Sequence, residues 1–183
     1  MRFLRGANSH PAWVVVAVLL MIVGPFIAIL MPAFLSVSTF QYSSRISYIP
    51  LPTSFHYYIW AFVLFSIGLV LIYFISKKSI KITSGILAFC LFAFLFFTGV
   101  NQYHYFDKDY IEVGGIYDKK QYSWSEVKEA AITIDANEFR SLRLTMEDSN
   151  HIEILLAGVV TSQVEMSIKN RLIANDVEIE YED

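Results

Sequence analysis

A charge boundary constrains this chain more than any other feature: none of its 17 acidic residues falls within the first hundred positions, and Asp107 is the first of them. Those positions hold six basic side chains, Arg2, Arg5, Arg45, Lys77, Lys78 and Lys81. The rest of the chain holds eight basic and 17 acidic ones, so +6 and −9 add to a net charge of −3. A long stretch that excludes carboxylates, in a chain that is 55% hydrophobic overall, has the composition of a membrane region and not of a soluble core.

Three apolar runs account for that stretch. Pro11 to Leu35 is 25 residues without an ionisable side chain. At about 1.5 Å per residue it exceeds a hydrocarbon layer of about 30 Å and can cross with tilt. Trp13 near its start suits the headgroup level, and Gly24-Pro25 predicts a kink. The second and third runs are Tyr57 to Ile75 and Ile82 to Val100. Backbone in lipid must satisfy its own hydrogen bonds, so all three are expected to be helices, over about 11–35, 57–75 and 82–100. Only Ser76 to Lys81 separates the last two, which forces an antiparallel hairpin.

Arg2 and Arg5 before the first run, with Ser36 and Ser38 after it, resemble a signal peptide, but the run is longer than the typical apolar region of about 7–15 residues. A retained span is the expectation. Five basic residues in the N-terminal tail and the lysine turn face a single one, Arg45, in the loop Ser36 to Phe55. That bias assigns tail and turn to the cytoplasm and residues 101–183 to the outside. Lys108, Lys119 and Lys120 oppose it, but acids are interspersed among them. The expected location is the cell membrane, multi-pass.

Beyond Val100 the pattern changes to alternation. Ile111 and Val113 alternate with Tyr110 and Glu112 before a Gly114-Gly115 turn, and Tyr122 and Trp124 alternate with serines. Further strands are expected around Ile132 and Ile134, Leu142 to Met146, and Ile152 and Ile154, with Asp148-Ser149-Asn150 as a hairpin turn. Ser162 and Glu165 have capping-box spacing, and Val164, Ile168 and Leu172 make an apolar stripe, so a helix from Ser162 to about Ala174 should cover the sheet. Asn175 is its expected stop, and Val177, Ile179 and Tyr181 read as a last strand or acidic tail. The fold class is therefore membrane α with three transmembrane helices over 1–100, plus a small acidic α+β domain over 101–183, its antiparallel sheet capped by one C-terminal helix.

Tyr103 to Ala174, with Trp124-Ser125-Glu126-Val127-Lys128 between strands, resembles the bacterial PH-like domains attached to small membrane proteins. The resemblance implies a bent sheet capped by one helix that serves as a scaffold or interaction module, without a reaction. Many eukaryotic PH domains hold phosphoinositides with clustered Lys and Arg. This domain is at −9 and has only Lys119-Lys120 on a predicted turn, so binding of anionic lipid headgroups by the domain is not expected.

No catalytic, cofactor-binding or metal-ligating residue is assigned. Cys90 has no partner cysteine and lies in an apolar run. His10 and His56 lie at span ends, while His104 and His151 have no second ligand at metal spacing and read as solvated strand-edge residues. The acids alternate with core positions as solvent-facing residues do, Trp124 reads as core, and no nucleophile elbow, phosphate loop or His-Glu-x-x-His occurs. The spans lack the ionisable groups that mark transport paths, and the charge excludes nucleic acid. The expected function is a non-enzymatic membrane protein that displays an interaction domain to a protein partner. The alternative is an accessory or regulatory subunit of a transporter or envelope enzyme.

Overall fold

The computed structural model describes residues 12–40, 44–116, 118–134, 139–158 and 160–182. Arg2, Arg5, His10 and the side chain of Trp13 lie outside the described residues. Each expected span coincides with a helix: α1 (Ala12–Ser38), α2 (Pro52–Phe74) and α3 (Lys78–Val100), all long and apolar enough to cross a membrane. Helix α1 runs through both Pro25 and Pro32. Helix α2 starts earlier than the hydropathy suggests because Pro52 at its first position needs no amide partner and has a φ suited to the helix.

These helices pack as one unit. Gly24 is used for close approach: a Cβ there would lie 2.6 Å from Phe62 Cβ, so α1 and α2 can touch only because it is glycine. Gly99 does the same against the Tyr58 ring, at 2.8 Å. Rings of Phe62, Phe65, Phe89, Phe92 and Phe96 interleave along the α2–α3 seam with centroids 5.1 to 6.5 Å apart. The open end of the hairpin is tied by Leu51 N–H donating to the Gln102 carbonyl at 3.1 Å.

The second unit does not follow the linear division at residue 100. It joins Thr39–Pro50 to everything from Tyr103 onward. Within the segment expected to be a loop, Arg45–Pro50 forms β1 and pairs antiparallel with β2 (Tyr103–Asp107), Tyr48 opposite Tyr105 and Ile49 opposite His104. The physical reason is burial. All five residues of β2 are buried, and a buried strand with an unpaired edge would leave amides and carbonyls without partners.

Two sheets, not one, make up this unit. The first has the order β1-β2-β3-β4, with β3 Tyr110–Gly114 and β4 Lys119–Ser123. The second has the order β7-β6-β5-β8, with β5 Val127–Ile134, β6 Arg140–Met146, β7 His151–Leu155 and β8 Ile179–Glu182. Helix α4 (Ser162–Ala174) separates β7 from β8. That crossover makes β8 run parallel to β5, so the sheet is not wholly antiparallel. The core takes Phe106, Ile111 and Tyr122 from the first sheet, Ile132, Leu144 and Ile154 from the second, and Ile168 and Leu172 from α4.

Local chemistry differs from the sequence reading at three points. The α4 N-cap is Thr161, whose hydroxyl accepts from Val164 N–H, which leaves Glu165 free to pair with Lys169 at 2.8 Å and Arg140 at 2.9 Å. Strand β4 ends at Ser123 because a capping box between Ser123 and Glu126 opens a 3-10 turn, Trp124–Glu126, so Trp124 does not alternate with Tyr122 on one strand. Gly115 is required for close approach, since a Cβ would sit 2.8 Å from the Asp118 carbonyl oxygen. The Asp148-Ser149-Asn150 turn forms as expected, with Ser149 at φ 63° and Asp148 Oδ1 accepting from Asn150 N–H at 3.0 Å.

Because β1 completes the first sheet from a distant part of the sequence, Tyr48→Ala should act on β2. The expected cost is about 3–5 kcal/mol, as for other buried aromatic truncations. Hydrogen exchange on the full chain in detergent should then show lost protection at Tyr103–Asp107 with α2 and α3 amides unchanged.

Candidate functional site

The buried polar groups of the second unit gather on the first sheet. In β2, alternation sends His104 and Phe106 toward the core and Tyr103, Tyr105 and Asp107 to the outer face. Phe40, just before β1, covers that outer face with its ring 4.8 Å from Tyr48, 4.9 Å from Tyr103 and 5.0 Å from Tyr105. Two carboxylates lie beneath the tyrosines. Asp107, 2% exposed, accepts from Ser44 Oγ at 2.6 Å and Tyr105 Oη at 2.9 Å through Oδ2, and from Asp109 N–H at 3.3 Å through Oδ1. Glu112, opposite Tyr105 across the ladder, accepts from the Tyr103 hydroxyl and lies 3.8 Å from Lys119 Nζ.

This geometry overturns two expectations. Asp107 is not a solvent-facing acid, and His104, 6% exposed, is not at a solvated edge, because β1 occupies the edge where the sequence left one open. Burial opposes the Asp107 charge, but the donated hydrogen bonds outweigh it and hold the carboxyl below its ordinary range. The group is therefore an ionised acceptor that fixes the β2–β3 corner and has no proton to give at neutral pH. The corner is closed by Trp124, 3% exposed, whose Nε1–H donates to the Asp107 carbonyl at 3.0 Å. Burial lowers His104 to about 4, and its Nδ1 has no protein partner among the described residues. Burial also pushes Tyr48 up to about 12, and burial with the adjacent carboxylates raises Tyr103 and Tyr105 further.

The lysine pair forms no basic patch. Lys119 and Lys120 begin strand β4 instead of occupying a turn; Lys119 lies over the Tyr103 ring, and Lys120 is 3.4 Å from Asp148. Tyr122 Oη also donates to Asp148, at 3.0 Å, so this cleft of about 490 Å³ at the β6–β7 turn is internally paired. His56 and His151 are exposed, and among the described residues no three His, Cys, Asp or Glu side chains come together as a metal site.

A groove of about 670 Å³ lies between the end of α4 and β8, lined by Ile173, Asp176, Val177, Glu178 and Tyr181 among others. Ile173 and Tyr181 are 64% and 68% exposed, while Lys169 beside them is held by Glu165 and by the Tyr181 ring. β8 ends its sheet, so among the described residues no strand pairs with its far edge. The strand signal in Val177, Ile179 and Tyr181 was legible in the sequence, but the groove was not, because it needs the α4 crossover. Comparison with protein-family models, curated proteins and solved structures finds no match to this chain.

The histidine sets a pH dependence whose sign follows from its lowered value. Between pH 6.5 and about 4 the unfolded chain takes up a proton that folded His104 refuses, so stability is full above pH 6.5 and falls as pH drops through that window, by up to about 3 kcal/mol. Below 3.8 protonation of Asp107 removes more. Urea unfolding of the second unit, followed by hydrogen exchange from pH 7.5 to 4, should show this slope, and His104→Phe should flatten it.

Proposed function

We propose that this is a non-enzymatic, multi-pass membrane protein of the bacterial envelope that displays a PH-like domain for contact with another protein. The observation that carries the reading is the α4–β8 groove: exposed Ile173 and Tyr181 border a sheet edge whose backbone groups are open for strand addition. Asp176 and Glu178 in its lining suit a partner segment with basic as well as apolar side chains. The succession of four strands, three strands and a closing helix supports the PH-like assignment. In this reading the α2–α3 hairpin is inserted between the first and second strands of the domain.

Helices α1 to α3 are taken as the spans. Two crossings between β1 and β2 return the chain to the side it left, which the β1–β2 ladder requires. The five-to-one excess of basic residues puts the tail and the lysine turn in the cytoplasm and the β domain outside.

A second reading, an accessory subunit for a transporter or envelope enzyme, is favoured by α3: the most apolar stretch of that helix contains no buried residue, so its surface is open to lipid or to a partner's helices. Exchanging the three spans for unrelated ones of equal length should preserve partner capture in the leading reading and abolish it in the second.

Two measurements test the leading proposal. A photo-reactive residue at Ile173 or Tyr181 should give one discrete protein adduct in intact cells, and one at exposed Glu153 on the opposite edge strand should give none; silence at both groove positions overturns the docking surface. A reporter enzyme active only outside the cytoplasm should work when fused after residue 183 and fail when inserted at residues 75–77 between α2 and α3, and the opposite pattern reverses the sidedness.

A further inference from the structure

We propose that the cleft between α2 and α3 beside the lysine turn binds one anionic phospholipid, with an acyl chain between the helices and the phosphate at Lys78 and Lys81. This inference rests on the membrane reading above. The cleft has a volume of about 490 Å³, within the roughly 300–1,000 Å³ that holds a small ligand. Its walls are Leu69 and Ile72 on α2 and Ile82 and Gly85 on α3, and the Phe65–Phe89 ring pair, at 6.5 Å, lies at the end away from the turn. Gly85 leaves the space open: a Cβ there would meet only Ile72 Cδ1, at 3.8 Å.

Charge decides the occupant. Lys78 and Lys81 both line the cleft, and Lys81 is half-buried, yet the sequence through Gln102 contains no carboxylate to pair with either ammonium. A partly desolvated cation without an internal counter-ion favours an external anion. The first turn of α3 adds the positive end of its helix dipole, and no side chain caps it. A soluble anion would satisfy the lysines but leave the apolar walls wet. An anionic phospholipid satisfies both, and basic pockets between transmembrane helices on the cytoplasmic side recognise such headgroups.

The test is native mass spectrometry of the full chain in detergent with an equimolar mixture of phosphatidylglycerol and phosphatidylcholine. One phosphatidylglycerol should be retained in preference. Each lysine near the membrane surface is worth a factor of about five, so Lys78→Gln with Lys81→Gln should cut the preference about 30-fold. Gly85→Leu, which fills the cleft, should lose the lipid with both lysines in place. Glycerol phosphate, a headgroup without chains, should not displace it. Equal retention of the two lipids by the natural chain, an unchanged preference in the double variant, or displacement by glycerol phosphate overturns the site. If the protein nevertheless resists alkaline carbonate extraction from membranes, the membrane reading stands without the site; if carbonate releases it, both fall.

Discussion

The β unit depends on an antiparallel ladder between segments that the sequence keeps far apart. β1 lies before two long apolar helices and β2 after them, and their pairing places Tyr48 against Tyr105 and covers an edge that would otherwise expose the backbone of a wholly buried strand. The aromatic layer follows from that register. Phe40 can stack on Tyr48, Tyr103 and Tyr105 together only because β1 and β2 bring those three rings onto one face. The α2–α3 hairpin is thus an excursion from the sheet with both ends returning to it.

Buried polar groups show how tightly the same strand is specified. Two positions of β2 hold opposite answers to the cost of desolvation: His104 stays neutral because burial penalises its cation, and Asp107 stays ionised because hydroxyl and amide donors more than offset the same penalty. The alternation of the strand separates the two, sending one toward the core and the other toward Ser44 and Tyr105. With its oxygens occupied by donors, Asp107 acts as a structural acceptor. Trp124 closes on its carbonyl, so the β2–β3 corner is held from both the side chain and the backbone.

Several elements were legible from the order of residues: the three apolar helices, the β6–β7 turn at Asp148-Ser149-Asn150, the span of α4 and its stripe of Ile168 and Leu172. Others were hidden for identifiable reasons. Tyr103 and Tyr105 follow directly on a hydrophobic run, and nothing near them in sequence shows which distant segment pairs with their strand. The short run Ile46-Ser47-Tyr48-Ile49 has β character, but a strand of that length lacks meaning until its partner is known. Lys119 and Lys120 look like a basic pair on a turn until Glu112 and Asp148 are found beside them.

What the sequence by itself determined is the segregation of charge and the periodicity within each element, because both are local: an apolar run long enough to cross lipid, or an alternation that gives a strand two unlike faces, is a property of neighbouring residues. Only the tertiary structure decided that Asp107 and His104 are buried, that β8 runs parallel to β5, and that an open groove and a lysine-lined cleft exist. Each of those depends on which distant segment closes a particular edge or leaves a particular gap. That is settled by the collective need to bury apolar area and pair every backbone group, and not by any one stretch of chain.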